Sequence, residues 1–490
     1  MSRIQFVCPL TWPLAALVCL VLAPAARAQD VSPSITKDPV AYLHFLETSA
    51  DPTTVAVRQQ IEAGPADLAR AREAAVKEGI PLTPDALQKP LPPEGENAAP
   101  LYQKLFQLLR DKPLHLPAYA QPLVSDHTYT PEQLAVVQKI YDSRQDVWDL
   151  VHQAADKPQC VFVRDWKQGA GILFPEYQKI REAARLLNTE SYLLAAQGKY
   201  SDAVKNQARG FRVAEHAASD PVLISYLVGV ACDAITLRGM QNVLILAGPN
   251  ADVDAQVARA VTGGRPRLSL RYALGGEIAS FQDVTFLQLR AQTQRGGVPA
   301  LVSLASADFG LSKVPPVSGP TTPVDVTFAL DWLDASQALT LSHMRVLVAA
   351  SDLPPLPQSR VFTQEAQAQV AQPKTALTVL SDELLPAYDR IDQQETRRQA
   401  NESVTLASAD VLGAWTKDGT FPSALPRAMT DPFTGRPLGY RREGDDGFVV
   451  YSAGPDGTFG GGKPGDARND RQIKFRYPAA ATPIPPYMLE

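Results

Sequence analysis

The segment PEYQKIREAARLLNTESYLLAAQGKYSDAVKNQARGFRVAEHA, residues 175–217, decides the fold of this chain. Apolar residues recur at intervals of three and four on both sides of Gly198, which is typical of amphipathic helices. Gly198-Lys199-Tyr200 is a natural turn between them, because glycine ends helices without strain. Two long helices joined by so short a turn pack as antiparallel neighbours. The centre of the chain is therefore predicted to be a multi-helix bundle of antiparallel hairpins.

The helical pattern extends beyond this hairpin in both directions. A third helix follows Ser219-Asp220-Pro221, whose polar residues are expected to cap it, and Gly248-Pro249 ends it. Thr130 is expected to cap another helix, with Pro131 in its first turn. The same spacing predicts further helices over residues 40–48, 66–77, 97–110, 131–155, 268–290, 324–350 and 377–415. Residues 296–323, rich in glycine, proline and serine, are predicted to form a surface loop.

The last part of the chain changes from helical spacing to strand spacing. Pro432 and Gly435 suit a tight turn, and short strands are predicted over residues 438–442 and 447–452, the second with apolar and polar residues alternating. A third strand is predicted from the alternation of Ile473, Phe475 and Tyr477 with charged residues. The fold class is therefore predicted to be mainly α, a helical bundle with a small C-terminal antiparallel β-meander.

The N-terminus has the pattern of a secretory signal. Arg3 supplies a basic start, residues 6–22 are largely apolar, and Ala26-Arg27-Ala28 is a small-x-small cleavage pattern. We expect cleavage after Ala28 and export to the periplasm or the medium; the alternative is an uncleaved membrane anchor. No later run of 18 residues is uniformly apolar, so no transmembrane helix is expected after cleavage.

Net charge argues against one class of partner, and the cysteine content decides whether a disulfide is possible. The formal charge of −5 becomes −7 when the signal, which carries Arg3 and Arg27 and no acid, is removed. This balance has no basic footprint for nucleic acid. Two of the four cysteines remain, Cys160 and Cys232. An oxidising compartment allows them to pair, but buried free cysteine is common in apolar helices, so both arrangements stay open.

These features divide the chain into five segments. They are a signal peptide (1–28), an N-terminal helical and partly disordered segment (29–95), a central helical domain (96–375), a long helix with the β-meander (376–478) and a disordered tail (479–490). Proline-rich connections at 90–93 and 354–357 indicate stiff loops between helices.

The order of motifs near the C-terminus resembles that of a known family. A long helix is followed by WTKDGTFP (415–422), DPFTGRP (431–437) and FVVYSAGPDG (448–457). This order is similar to the C-terminal half of the major pseudopilin of type II secretion systems, in which the last motif is a strand and loop that hold calcium. The chain differs from pseudopilins in its Sec-type signal and in the helices that stand in place of the assembly helix.

A second resemblance covers most of the chain. The residues that carry it are Asn97-Ala-Ala-Pro-Leu-Tyr, Asp165-Trp166, Arg181-x-x-Ala-Arg-Leu-Leu and Pro221-x-Leu-Ile-Ser-x-Leu-Val. They are similar to those of a family of uncharacterised exported bacterial proteins with the same kind of tail. This resemblance implies an exported helical protein and no particular activity.

By analogy with the pseudopilin loop, the tail is expected to bind calcium. The ligands that the resemblance implies are the Ala453 carbonyl, Asp456, the Thr458 oxygen, Asp466 and Asp470. Glycines in this loop let the backbone turn its carbonyls inward, and calcium takes six to eight oxygens. The alternative is a flexible, solvated glycine loop. No other cofactor is expected.

The sequence shows no catalytic constellation. Its six histidines are scattered, without a His-Glu-x-x-His pair, and there is no Gly-x-Ser-x-Gly elbow. Glu277 and Asp283, on an apolar-rich helix, are expected to face solvent or to pair with Arg271 and Arg290; the alternative is a buried carboxylate with a functional role. Carboxylates distant in sequence can still meet in space as a hydrolytic pair.

The sequence therefore favours an exported, non-catalytic interaction or structural protein with a calcium-stabilised C-terminal module, acting on a protein partner. Two alternatives stay open: a periplasmic hydrolase with its site in a helical groove, and a peptide-binding scaffold of helical repeats around Gly198. The helix pair at Gly198 resembles a tetratricopeptide repeat, but the 34-residue period does not recur elsewhere in the sequence, which favours an ordinary bundle.

Overall fold

The structure, a computed structural model, describes residues 39–117, 128–263, 268–308, 324–371, 388–459 and 473–478. The described chain is mainly helical, with a three-stranded antiparallel sheet near its C-terminal end, which confirms the predicted fold class. The predicted signal peptide, the first residues after it, the segment boundary at 375 and the predicted disordered tail lie outside the described residues.

The elements are numbered in chain order. The helices are α1 (Pro39–Thr48), α2 (Pro52–Glu62), α3 (Gly64–Lys77), α4 (Ala99–Asp111), α5 (Pro131–Ser143), α6 (Gln145–Ala155), α7 (Glu176–Ala196), α8 (Tyr200–Ala217), α9 (Leu223–Ala247), α10 (Ala251–Thr262), α11 (Leu270–Glu277), α12 (Asp283–Asp308), α13 (Val326–Ala350), α14 (Pro355–Ala371) and α15 (Tyr388–Asp418). Short 3-10 helices span Pro84–Leu87 and Trp166–Gly171, and a π-helical segment spans Ile278–Gln282. The strands are β1 (Gly439–Glu443), β2 (Gly447–Tyr451) and β3 (Lys474–Tyr477).

The predicted central hairpin is confirmed, and glycines set how closely it packs. Gly198 has a positive φ of 75°, so the α7–α8 turn uses the backbone freedom of glycine. Gly210 of α8 and Gly239 of α9 lie where the two helices approach closely: a Cβ on either would come within 2.3 Å of a side chain of the other helix. In that interface the buried Gln207 amide donates to the Thr236 carbonyl at 3.0 Å.

Helix α9 is capped from outside its own segment. Ser219-Asp220-Pro221 was expected to cap it, but the helix begins at Leu223 without a side-chain cap of its own. The Leu223 N–H instead donates to Oε2 of Glu277 at 3.0 Å. Since the first N–H groups of a helix lack partners within it, a carboxylate from α11 satisfies one of them.

The length and apolar character of α9 also fit a membrane span. Within the described residues it is the helix that passes this test, by length and composition alone. However, 61% of its most apolar window is buried inside the protein, as in the core helix of a bundle. We interpret α9 as the central core helix.

Two helical predictions differ from the structure. The predicted helix over 131–155 is broken at Arg144, whose guanidinium donates to the Lys112 carbonyl at 3.1 Å. Thr130 caps its first part as expected, and Gln133 completes a capping box with it. The predicted loop from residue 296 is wrong at its start, because α12 continues to Asp308 with a break at Gly297. Residues 309–323 lie outside the described part.

The expectation for the acids around the π-helical segment is also wrong. Asp283 is buried rather than exposed and accepts hydrogen bonds from Arg72 at 2.7 Å and Gln337 at 2.9 Å. Arg290 pairs with Asp334 instead. These partners are far away in sequence, so no local pattern indicates them.

The tail is a meander with the order β1-β2-β3 and antiparallel pairing throughout. Every residue of β2 is buried, so the expected alternation in that strand is wrong. Phe448, Val450 and Phe475 belong to one hydrophobic core with the bundle. Its helical members include Phe211, Leu237, Val257, Val404 and Leu412. The sheet is thus packed onto the helices as part of the same body.

Asp254, in the first turn of α10, is a buried carboxylate without good hydrogen bonds. It is 4% exposed, and in the described structure neither oxygen accepts a well-aligned hydrogen bond. Burial raises its pKa from 3.8 to about 7, against a smaller opposing effect of the Asn250 N–H. The folded protein therefore holds the proton at pH values where the unfolded chain has lost it.

We predict that Asp254→Asn stabilises the protein at neutral and alkaline pH but not near pH 4. A raised pKa in the folded state costs stability as the pH rises from 3.8 to about 7, and asparagine removes this cost. The gain in free energy of unfolding, roughly 1–3 kcal/mol above pH 7, should vanish near pH 4 in urea titrations. Asp252→Asn, an exposed change in the same turn, is the control. A gain that does not vary with pH would contradict the prediction.

Candidate functional site

The structure brings three of the five predicted calcium ligands onto one short turn. Ala453 is buried directly after β2, and Asp456 and Thr458 follow it on the surface. Oδ1 of Asp456 accepts the Thr458 N–H at 2.9 Å, and the Thr458 hydroxyl donates to the Asp456 carbonyl at 3.3 Å. Asp466 and Asp470 lie outside the described residues. The turn therefore carries three of the five predicted ligands.

Glycines shape this turn. Gly454 and Gly457 have positive φ values of 72° and 67°, which residues with a side chain rarely adopt. The Gly457 N–H donates to the Gly454 carbonyl at 3.0 Å and closes the turn. The chain thereby reverses directly after β2 and exposes the Asp456 carboxylate to solvent.

Asp431 organises the base of this loop, a role that the sequence did not reveal. Its carboxylate is fully buried and accepts hydrogen bonds from the Phe433 N–H at 2.9 Å and the Ala453 N–H at 2.7 Å. The Ser452 hydroxyl donates to it at 3.1 Å. One side chain therefore ties the turn at residues 431–437 to the end of β2. Pro432 and Gly435 indicated a turn in the sequence, but nothing there indicated the long-range hydrogen bonds of Asp431.

Arg436 lies between this turn and the loop. Its guanidinium donates to the Gly457 carbonyl at 3.2 Å and lies over the Phe459 ring, 4.9 Å from the ring centre. Phe459 packs edge-on against Tyr451 at 6.1 Å between ring centres. A fixed positive charge thus contacts a backbone oxygen between two of the predicted ligands.

The turn at residues 431–437, called the Asp431 turn below, also forms one wall of a cleft of about 820 Å³. Pro432 and Gly435 line it at this wall, and the α13–α14 connection, residues 351–354, and the first residues of α14 also line it. The end of α10 and the start of α11 close one side, and a polar face of α15 forms the floor. The cleft therefore lies where the tail meets the bundle.

The floor of the cleft carries a buried ionic group. Glu395 accepts hydrogen bonds from the Tyr226 hydroxyl, from Nε of Arg398 at 2.8 Å and from the Gln399 amide at 2.8 Å. Burial alone would raise the pKa of Glu395, but the hydrogen bonds and charge of Arg398 outweigh it and hold that pKa below its ordinary value. Glu395 is thus a saturated carboxylate, unsuited to donating a proton.

Two histidines that no sequence motif singled out, His152 and His216, form hydrogen bonds with polar groups elsewhere in the fold. Nε2 of His152 lies 2.6 Å from Glu190, which also accepts the Tyr141 hydroxyl at 2.7 Å. Burial lowers the pKa of His216 to about 4, and its ring lies between Tyr102 and a backbone carbonyl. Across the described ranges, no three His, Cys, Asp or Glu residues are grouped to hold a metal.

The cysteines are free thiols in this structure. Cys160 and Cys232 are buried in the same hydrophobic cluster, which also contains residues of α4 and α6. Burial raises the pKa of Cys232 to about 12 and raises that of Cys160 as well. Both thiols are therefore protonated and act as small apolar groups.

We predict that Asp431→Asn loosens the loop and lowers stability. An amide nitrogen cannot accept, so one buried N–H or hydroxyl loses its acceptor at a cost of about 1–3 kcal/mol. Urea unfolding measures the loss, and hydrogen exchange at Ala453 should accelerate more than the global change explains. Asp445→Asn, at a 98% exposed side chain in the β1–β2 turn, is the control. Equal effects of the two changes would refute the role of Asp431.

Comparisons with known proteins add no family to these observations. No family model matches the chain, and no curated protein and no solved structure shows significant similarity to it. The pseudopilin-like interpretation of the tail rests on the motifs quoted from the sequence.

Proposed function

We propose that the chain is an exported, non-catalytic interaction protein that holds a protein partner in the cleft between its tail and its helical bundle. The tail acts as a pseudopilin-like module whose loop binds calcium. The observation that carries the proposal is the position of the Asp431 turn, which contacts the loop through its carboxylate and lines the cleft through Pro432 and Gly435.

The charges of the cleft favour binding over catalysis. On the floor, Glu395 is paired with Arg398; at the rim, Arg271 donates to Asp352 at 2.8 Å. Paired charges offer hydrogen bonds and shape to a partner but no poised acid or base. The cleft is large enough for a short peptide segment or a partner loop.

The two alternatives have less support. A hydrolase needs a free carboxyl or histidine in its groove. The described lining of the cleft contains no histidine, and each of its carboxylates is paired with an arginine or hydrogen-bonded: Asp352, Glu395, Glu402 and Asp431. A helical-repeat scaffold needs an open face on the α7–α8 pair. One face of that pair packs on α9 through Gln207 and Thr236, as in a compact bundle.

Calcium should stabilise the protein. Binding to the folded state alone raises stability by about 2.7 kcal/mol at a hundredfold excess over Kd, so the melting temperature should rise with calcium and fall with a chelator. Differential scanning calorimetry measures both shifts. Asp456→Asn keeps the oxygen that accepts the Thr458 N–H but removes the charge, and should abolish the response.

Asp445→Asn, in the exposed β1–β2 turn, is the matched control for Asp456→Asn and should leave the calcium response intact. The calcium proposal fails if the wild-type melting temperature is the same with calcium and with the chelator.

Site-specific cross-linking tests the cleft as the binding surface. A photoreactive residue at Leu353, which is 42% exposed at the rim of the cleft, should give a discrete cross-linked partner in the producing cells. The same residue at Leu173, which is 63% exposed and outside the cleft, is the control. Products that are the same at both positions, or absent at Leu353, would exclude the cleft.

A further inference from the structure

The cleft beside the Asp431 turn contains a side-chain amide without a protein partner. Gln358, in the first turn of α14, lines the cleft and is 4% exposed. Its backbone N–H donates to the Pro354 carbonyl at 2.9 Å, but within the described part of the chain its side-chain amide makes no hydrogen bond. Buried amides in folded proteins are nearly always paired. The Gln358 amide is therefore available to whatever occupies the cleft.

A second amide, on the floor of the cleft, is only partly satisfied. Nε2 of Gln399 donates to Oε1 of Glu395 at 2.8 Å, which fixes the orientation of the Gln399 side chain. Its Oε1 is buried and has no hydrogen-bond partner among the described residues. Gln399 lies on α15 and also lines the cleft, so an unused acceptor belongs to this surface.

The two glutamines lie on helices that are fixed to each other. The Ser359 hydroxyl, next to Gln358 on α14, donates to the Asp392 carboxylate of α15. A glutamine amide offers both donors and an acceptor, which complement the C=O and N–H groups of a peptide backbone. A segment in a helix uses these groups itself, whereas an extended segment presents them to its binding site. The free amide of Gln358 therefore fits an extended segment.

Residues that line the cleft carry more negative than positive charge. There are two guanidinium groups, of Arg271 and Arg398, against four carboxylates, of Asp352, Glu395, Glu402 and Asp431. On the floor, Glu402 is the more accessible acid: its side chain is 31% exposed and its carboxylate lies 3.8 Å from Nη1 of Arg398. Asp233, buried 3.9 Å from the same nitrogen, adds to the surplus. This surface favours a cationic occupant.

We infer that the cleft takes an extended peptide segment with a basic side chain, and that Gln358 recognises this segment through its backbone. The inference rests on the proposed function and deepens it, because it names the chemistry of the partner. The Gln358 amide pairs with a backbone N–H and C=O of the segment, and Gln399 accepts a further hydrogen bond. A lysine or arginine side chain of the segment lies against Glu402.

Short random peptides displayed on phage, selected on the full chain, test the inference. Selection should enrich peptides with lysine or arginine, and fluorescence anisotropy then measures a synthetic copy of one of them. Gln358→Leu should weaken its binding roughly tenfold, because both the donor and the acceptor are lost. Glu402→Gln should also weaken binding, with a loss that shrinks at high ionic strength. Gln103→Leu, at an exposed glutamine of α4 outside the cleft, is the control.

Two further readouts separate recognition from a structural role. The Gln358 amide has no protein partner to lose, so Gln358→Leu should keep or raise the melting temperature of the unbound protein. Peptides with single N-methyl groups locate the backbone contact. At the N–H that Gln358 reads, methylation should weaken binding to the wild type but not weaken binding to Gln358→Leu any further.

The outcomes distinguish this inference from the proposed function. The inference is overturned if no peptide is enriched, if acidic peptides are enriched, or if Gln358→Leu binds as tightly as the wild type. A lower melting temperature of Gln358→Leu would assign the residue a structural role and also overturn it. A partner cross-linked at Leu353 would still support the proposed function in each of these cases. Peptide binding that depends on Gln358, without a cross-linked partner at Leu353, supports the inference and contradicts the proposed function.

Discussion

The burial of α9 is the constraint on which the rest of the structure depends. This helix is apolar on nearly all sides, so it must be covered by protein, and α7, α8, α10, α11 and α15 surround it. Glycines allow the closest of these contacts: a Cβ on Gly229 would come within 2.9 Å of the Ala214 carbonyl of α8. A helix enclosed in this way needs its free N–H groups satisfied from elsewhere, and Glu277 satisfies that of Leu223. Helix α15, which covers α9, also packs against the sheet.

Much of this architecture was predictable because it is local. The spacing of apolar residues indicated the helices, and Thr130 and Gly198 marked helix ends. The turn residues of the tail marked the start of the β-meander. The breaks at Arg144 and Gly297 were missed because they depend on tertiary contacts or on one residue's dihedral angles. The Arg72–Asp283 pair joins residues 211 positions apart, a distance over which no periodic pattern carries information.

The candidate site was predictable only as a motif. The order of turns, strands and acidic residues pointed to the loop after β2, where Asp456 and Thr458 are hydrogen-bonded to each other. The residues that give the site its chemical setting were not indicated. Asp431 and Arg436 act across the turn through bonds to backbone groups, and backbone groups leave no trace in the identity of the residues that carry them.

The turn at residues 431–437 contacts both the loop after β2 and the cleft, so under the proposed function the two binding sites share one structural element. One face bonds to the loop after β2, and the other, through Pro432 and Gly435, is a wall of the cleft. Under the proposed function, a cation in the loop that changed affinity in the cleft by some factor would have its own affinity changed by the same factor when the cleft is occupied, because linkage is symmetrical. Two ligands that share one turn would then report on each other's concentration.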